Sequence, residues 1–595
     1  MDPNQKHRNT SLKLIATPLL HSTHQHGCSI EMHARHGSRS ERAPEESMVG
    51  LKHQPTHNEG YQKLPEFHRH EEATNIELFY DLFFVANLAS FSSVHEINDN
   101  STLTSYVGFF CVLWFTWCQM TMFDVRYVAD SILERLAKAI HLGVMVGLAV
   151  VGPGFDPSNQ KEHIFRTMAF ILMISRVVLA LQYLLVMWHV RRYQNTKMPF
   201  IIISTTNFVA AIIYLGVAFA FKGNGGKSVA HRSFYVIAVF EIAINIFVSS
   251  RWKVASFKGT HLTQRMSLLT LIILGEGVIE ICKTISKLVN YHNAWNSATV
   301  GCVIASISII YFLYMLYFDA LPPHHFGSIR QQFWAFLHFP LHLAIVLFLV
   351  GASQFFIWNK IQQVMVEVSN EFNVLENTPD FITNLATNNT QSISYSLGNL
   401  TSQIFNEYKP SKDTTEYNVD DTLAYLAAGY EASQDTTTFH NATDWILFQI
   451  ATIQNSISQS IYENYGFSVS QKVLQAYGDD DTEAAIFSYL NSINLVFCYF
   501  FIATGFTLIL LGILDILTLP RAHFNKGLIK NVRIVVSTTA YFAVGAIMCG
   551  FVGLRGTDAG NNLGKSPWIL IVAAVAVVIV AVVRFVSIPG AEKGD

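Results

Sequence analysis

Residues 76–94 read IELFYDLFFVANLASFSSV, an apolar run long enough to cross a membrane as a helix but interrupted by Glu77 and Asp81. A carboxylate at the centre of a membrane helix costs about 2.5–3.5 kcal/mol on insertion scales, so it normally faces a protein interior or a water-filled cavity. Two side chains four positions apart lie on one face of an α-helix, so both carboxylates face the same neighbour. At the helix start Glu77 fits a helix cap or interfacial ion pair as well as an interior site. Asp81, one turn deeper, is predicted to have an interior partner.

The remainder of the chain has the composition of a polytopic membrane protein. It is 51% hydrophobic and only 14% charged, whereas soluble proteins carry about 25% charged residues. A membrane helix takes about 20 mostly apolar residues. We therefore predict an all-α transmembrane bundle of about 12 helices, at residues 76–94, 105–123, 136–153, 165–188, 199–221, 233–250, 266–285, 297–318, 333–357, 488–518, 533–554 and 566–588.

Composition divides the chain into five parts. Residues 1–70 contain ten of the 23 histidines without a hydrophobic period, which favours a disordered cytoplasmic tail over a metal-sensing one. Residues 71–357 form a core of nine membrane helices, and residues 488–588 add three more. Between them, residues 358–487 carry 17 acidic residues against four lysines, and we expect a partly helical extracytoplasmic cap there. Residues 589–595 form a short tail.

Two patterns predict that both termini are cytoplasmic. Basic residues cluster in three loops that would then face the cytoplasm, around residues 191–197, 251–258 and 521–530, as the positive-inside rule requires. Four N-x-S/T sequons fall in loops that would face the opposite side. These candidate glycosylation sites are Asn100, Asn388, Asn399 and Asn441. With no retention signal at residues 591–595, the plasma membrane is the expected location.

The seventh helix carries a second set of charges. Arg265 and Glu276 are eleven residues apart, so they lie on one stripe of the helix about 16 Å apart along its axis. His261 precedes this stripe and Glu280 continues it. Residues 275 and 277 are glycines, which let another backbone approach or let the helix loosen around a ligand. The pattern predicts an intramembrane site for a proton or an ion.

Further polar residues interrupt other predicted helices. Arg176 is the best candidate countercharge for an interior carboxylate, because buried arginine stays charged and needs an anionic partner. His338 and His342 lie one turn apart, where packing or hydrogen bonding is favoured over metal binding. We predict no metal site, no cofactor and no catalytic residue. For the other intruding charges structural pairing is the favoured interpretation; these are Lys138, His141, Glu241 and Asp515.

Several of these motifs resemble the low-temperature-requirement A family of membrane proteins. They are residues 77–85 (ELFYDLFFV), Trp114 with Trp117, His261 to Arg265 followed by residues 271–276 (LIILGE), Tyr317-Phe318-Asp319, and residues 337–341 (LHFPL). The resemblance covers residues 70–355. It adds Asp319 and His338 to the candidate site residues. The chain departs from the family after helix 2, where the usual acidic run is thinner: Asp124, Arg126, Asp130 and Glu134. The family name describes a growth phenotype, so the resemblance implies a class of protein and not a substrate.

The favoured function is a transporter or channel for an unknown small solute or ion, coupled to protons through the intramembrane carboxylates. One alternative is an intramembrane enzyme acting on a lipid or hydrophobic substrate, which needs His261, His338 or His342 to converge with carboxylates. Another is an accessory protein whose buried charges fix only helix pairing. We expect the protein to have the lipid bilayer, and not nucleic acid, as its partner. A non-enzymatic role is favoured over an enzymatic one. The sequence leaves the oligomeric state open.

Overall fold

The computed structural model describes most of the chain outside the N-terminal tail. The described residues are 13–19, 65, 67, 72–94, 97–127, 129–193, 196–221, 229–289, 295–321, 328–410, 413–430, 439, 441–467, 482–519 and 532–587. The remainder of the predicted tail 1–70, the basic loop 521–530 and the C-terminal residues 589–595 lie outside them. Phe67 is buried against Tyr127 and Phe200, with ring centroids 5.0 and 6.4 Å away.

The described residues are α-helical and form no extended strand. The helices are α1 (Asn75–Ser92), α2 (Asn100–Tyr127), α3 (Ile132–Val151), α4 (Glu162–His189), α5 (Lys197–Ala220), α6 (Arg232–Arg251), α7 (Leu262–Val289), α8 (Ser297–Phe318), α9 (Ser328–Glu376), α10 (Pro379–Ala386), α11 (Thr390–Glu407), α12 (Asp413–Ala428), α13 (Ala442–Asn464), α14 (Thr482–Thr518), α15 (Val532–Gly550), α16 (Asp558–Gly564) and α17 (Trp568–Ser587).

Local sequence explains where several helices begin. The Ser131 hydroxyl accepts from the Glu134 amide at the start of α3, and the Asn296 and Asn441 side chains cap α8 and α13 in the same way. Each of these caps satisfies a backbone N–H that has no partner within its own helix. Glu77 caps the start of α1, because its carboxylate accepts a hydrogen bond from the Thr74 amide over 2.7 Å.

The polytopic bundle predicted from the sequence is confirmed. Ten of the described helices are long and apolar enough to cross a membrane, and every predicted span coincides with a helix. The other two predicted spans correspond to α1 and α7, which carry the interior charges. Several helices extend beyond the predicted spans: α2 continues to Tyr127, α9 continues to Glu376, and α14 begins at Thr482. A helix of 49 residues is about 73 Å long, so α9 extends well beyond a hydrocarbon core of about 30 Å.

The bundle is organised around α2, which is buried along nearly its whole length. It contacts α1, α4, α6, α7 and α9. The last three membrane helices extend the bundle from its α9 side: α14 packs on α9, α15 on α14, and α17 on both α15 and α8. The central position of α2 brings the charged faces of α1 and α7 together in the interior.

Helices α10–α13 form a compact unit at one end of the bundle, which we call the cap. Trp358 of α9 stacks on Tyr462 of α13 with ring centroids 5.8 Å apart, so the cap docks on the extended part of α9. We call this end of the bundle the cap face. The Ser492 hydroxyl at the start of α14 donates to the Asn98 carbonyl, and Ser105 donates to Asp156. These contacts place the α1–α2 and α3–α4 connections on the cap face.

Candidate functional site

The two carboxylates of α1 meet two cations or potential cations of α7. Arg265 Nη2 donates to Asp81 Oδ1 over 2.7 Å, and His261 Nε2 donates to Glu77 Oε1 over 3.2 Å. All four side chains are at most 1% exposed. The one-turn spacing on α1 therefore matches the one-turn spacing on α7, and the two helices join through two parallel pairs.

Further donors hold Asp81 and Glu77 in place. Trp117 Nε1 on α2 donates to Asp81 Oδ1 over 2.7 Å, so two donors share one carboxylate oxygen. The second Asp81 oxygen has no hydrogen-bond partner among the described residues, and neither do Nε and Nη1 of Arg265. Glu77 combines the predicted helix cap with the ion pair, since its other oxygen accepts from Thr74. Both sequence interpretations of Glu77 thus describe the same side chain.

A middle level of polar contacts lies one to two turns further along α7. Trp114 Nε1 donates to His342 Nδ1 over 3.1 Å, and His342 Nε2 lies 2.8 Å from the Thr270 hydroxyl. Because indole nitrogen is only a donor, His342 Nδ1 must be unprotonated and Nε2 carries the proton. The Thr270 hydroxyl then accepts from His342 and donates to the Met266 carbonyl. This arrangement holds His342 as a neutral imidazole.

The neighbouring His338 is also hydrogen-bonded on both ring nitrogens. Its Nδ1 donates to the Trp334 carbonyl over 2.8 Å, and Tyr317 OH donates to Nε2 over 2.7 Å. The His338 and His342 rings are 5.3 Å apart. The two rings contact aromatic side chains, a hydroxyl and a carbonyl, in agreement with the predicted preference for packing and hydrogen bonding. No cluster of three metal-ligating side chains occurs among the described residues.

Glu276 forms the third level on α7, toward the cap face. Its side chain is buried, with 7% exposure, and neither carboxylate oxygen has a hydrogen-bond partner among the described residues. It lines a cavity of about 10 Å³ with Tyr106, Gly277 and Glu280, room for about one water molecule. Every other buried carboxylate in the described part of the chain has a donor or a cation beside it.

The structure also shows the partners and the burial of the other candidates on α4, α7 and α8. Arg176 pairs with the buried carboxylate of Glu241, to which it donates through Nε over 2.8 Å. Glu280 is not deeper than Glu276: its side chain is 28% exposed and lies 3.8 Å from Lys283. Asp319 is exposed at the C-terminal end of α8. Arg265 also faces Asp81 and not Glu276, although both lie on one stripe of α7.

Three buried charges were not recognised as site residues from the sequence. Asp124 pairs with Lys138, and Lys138 lies 6.0 Å from the Tyr80 ring centroid. Arg126 donates to the Ala255 carbonyl, the Tyr183 hydroxyl and Asn245. Glu134 accepts from Gln182. The predicted span of α2 ends at residue 123, which leaves Asp124 and Arg126 in a loop. Continuing its apolar period by one turn would have placed both in the interior.

The remaining intruding charges are paired as predicted. His141 lies 3.1 Å from the Gln182 amide oxygen, and Arg584 Nη2 donates to Asp515 over 3.3 Å.

Tyr80 OH and one Asp124 oxygen have no hydrogen-bond partner among the described residues. Together with the orphan atoms of Asp81 and Arg265, they leave the inside of the bundle with polar groups that water or an ion would satisfy.

Comparison with known proteins agrees with the motifs on α1 and α7. The family model described as "Bacterial low temperature requirement A protein (LtrA)" matches residues 72–369, half of the 595-residue chain. The match begins just before α1 and ends within α9, so it includes Glu77, Asp81, His261, Arg265 and Glu276. No curated protein and no solved structure matches the chain. The protein is a multi-pass membrane protein that belongs to the LtrA family.

Proposed function

We propose that this protein moves a proton or small cation, alone or coupled to a small solute, across the membrane along α1, α2, α7 and α9. The observation that carries the proposal is Glu276, a buried carboxylate whose two oxygens have no hydrogen-bond partner among the residues that the structure describes. An ionised carboxylate in such surroundings is costly, so it takes up a proton or binds a cation. A carboxylate that takes up and releases a proton or a cation in this way is suited to a transport step.

Three polar levels along α7 support a continuous route. Arg265 with Asp81 forms the first level, Thr270 with His342 the second and Glu276 the third, spaced by about one and a half to two turns. Unpartnered polar atoms at the first and third levels leave places for water. Gly277 lets α9 approach α7 beside Glu276, since a Cβ there would lie 2.2 Å from Leu349 Cδ1. The route therefore runs between closely packed helices and would open only by their movement.

The arrangement favours transport over an intramembrane enzyme. The enzyme hypothesis needs His261, His338 or His342 to lie beside a carboxylate, and of these three His261 does so, through Glu77. The second oxygen of that Glu77 carboxylate is engaged by Thr74. His338 and His342 have their ring nitrogens engaged by tryptophan, tyrosine, threonine and a carbonyl. Such fixed imidazoles are suited to positioning helices rather than to exchanging protons with a substrate.

We also propose that the cap face is extracytoplasmic and that the protein resides in the plasma membrane. The four sequon asparagines are exposed, and the structure places their segments at one end of the bundle. The strongly acidic cap would attract cations to that end. Transport would then connect the acidic cap face with the end of the bundle that carries His261 and Glu77.

Flux through the purified full-length protein in liposomes tests the proposal. A pH-sensitive dye and a cation-sensitive dye would be enclosed, and proton and cation gradients imposed. We expect flux through the wild type, a loss of at least tenfold in Glu276→Gln, and wild-type flux in Glu162→Gln, which removes an exposed carboxylate 3.9 Å from Arg166. Absence of flux from folded wild type, or full flux in folded Glu276→Gln, would overturn it.

A further inference from the structure

A second cavity lies on the cap face, away from the charged interior. It has a volume of about 70 Å³ and is bounded by α9, by the start of α14 and by the connection between α15 and α17 that contains α16. Trp358 forms part of its wall and also stacks with the cap residue Tyr462. The cavity therefore lies where the membrane helices end and the cap begins.

Two cations line this cavity, and the described residues supply no counterion to either. Arg555 and Lys565 are both exposed, and neither lies within 4 Å of a carboxylate oxygen anywhere in the described part of the chain. No acidic residue is among those that line the cavity. Asn494 and Asn561 add two amide groups able to donate hydrogen bonds. The polar half of the cavity is thus built for an anion.

The local backbone keeps this polar half open. Gly556, Gly560 and Gly564 line it, so no side chain fills the space between the two cations. Gly556 has φ +73°, a conformation that other residues rarely adopt. A Cβ on Gly560 would lie 2.1 Å from the Leu554 carbonyl oxygen. The tight turn that contains α16 therefore depends on Gly556 and Gly560. This turn brings Arg555 and Lys565 to the same cavity.

The other half of the cavity is apolar and follows a membrane helix. Leu490, Ile493 and Phe497 recur at helical spacing along α14, and Phe355 faces them from α9. Arg555 follows directly after the apolar span Val532–Leu554, and Lys565 comes three residues before the span Trp568–Ser587. The exposed Trp568 at that point is typical of a membrane–water interface. Headgroups of lipids occupy this depth of a bilayer.

We propose that this cavity binds the headgroup of an anionic phospholipid of the leaflet on the cap face. Arg555 and Lys565 hold the phosphate, since a guanidinium binds phosphate through two parallel hydrogen bonds and an ammonium neutralises it. The acyl chains lie against Leu490 and Phe497 of α14. The two halves of the cavity match an amphiphile better than a free phosphate ion, which has no use for the apolar wall. The site is independent of the transport route through Glu276.

Binding to the full-length protein in detergent, stripped of lipid, tests this site. Native mass spectrometry would count bound lipid after addition of phosphatidylglycerol or phosphatidylcholine, with and without excess inorganic phosphate. The test variant is Arg555→Gln combined with Lys565→Gln. The matched control combines Lys161→Gln with Arg166→Gln, which removes two cations from the start of α4 on the same face.

We expect one phosphatidylglycerol to bind the wild type and the control, at least tenfold more weakly to the test variant, and phosphatidylcholine to bind poorly to all three. Little competition by inorganic phosphate is expected if the apolar wall contributes. Equal phosphatidylglycerol binding by the wild type and the test variant would overturn the proposal. Full displacement by inorganic phosphate would reassign the site to a free anion. If the double variant does not fold, each single variant should bind several-fold more weakly.

Discussion

Arg265 on α7 donates to Asp81 on α1 over 2.7 Å, and neither side chain has any exposed surface. The two residues are 184 positions apart in the chain. The pair joins the first helix of the family region to its seventh inside the bundle. Removing one member would leave an uncompensated buried charge, whereas removing both would leave neutral groups.

Replacing Asp81 alone should therefore be strongly destabilising. Asp81→Asn is expected to cost about 3–5 kcal/mol because it leaves Arg265 buried without an anion. Combining it with Arg265→Gln should recover a large part of that loss. Unfolding by denaturant in mixed micelles measures both. Asp130→Asn is the control, since it breaks an exposed pair with Arg135 and should cost at most about 1 kcal/mol. Additive losses in the double variant would contradict direct coupling.

The hydrogen bonds of His342 predict a difference between two substitutions of Thr270. Thr270→Val removes the acceptor of the His342 Nε2 proton and should cost about 1–3 kcal/mol, because a buried donor is left without a partner. Thr270→Ser keeps the hydroxyl and should cost less. The same unfolding measurement compares them. Equal losses would mean that the Thr270 methyl group, and not the hydrogen bond, supplies the stability.

The contact between α14 and α15 depends on two glycines. A Cβ on Gly505 would lie 2.4 Å from the Gly545 carbonyl oxygen, so Gly505→Ala must push the helices apart. We expect a clear fall in the thermal unfolding temperature. Gly550→Ala is the control, because a Cβ there meets nothing within 4 Å. An unchanged unfolding temperature in Gly505→Ala would show that the helices separate without cost.

The orientation proposal predicts which sequons carry glycans. Asn388, Asn399 and Asn441 are all exposed, but the Asn441 amide donates to Asp444 and its oxygen caps α13. In a eukaryotic host, Asn388→Gln and Asn399→Gln should each lower the mass by one glycosidase-sensitive unit, and Asn441→Gln should change it little. Asn377→Gln is the control, an exposed asparagine outside any sequon. Protein insensitive to glycosidase would argue that the cap faces the cytoplasm.

Much of the site could be named from the sequence because burial of a charge in an apolar run is a local signal. Glu77, Asp81 and Glu276 are predicted in this way, and His261 and Arg265 from the helical stripe that leads to Glu276. The structure buries all five. Asp124 and Arg126 were not predicted as site residues. The apolar pattern of α2 ends where polar and apolar residues alternate, and a helix boundary is difficult to predict there. Asp319 was selected from a resemblance, and the structure leaves it exposed.

The sequence by itself determined the helices and which of their faces carry charge, because hydrophobic length and helical period are properties of neighbouring residues. Only the tertiary structure decided which charged side chains form pairs. Arg265 and Glu276 share a stripe of α7, but α1 supplies Asp81 to Arg265 and no described residue supplies a donor to Glu276. Pairing across nearly 200 residues depends on how the helices pack around α2, and that packing leaves Glu276 as the buried carboxylate without a partner in the described interior.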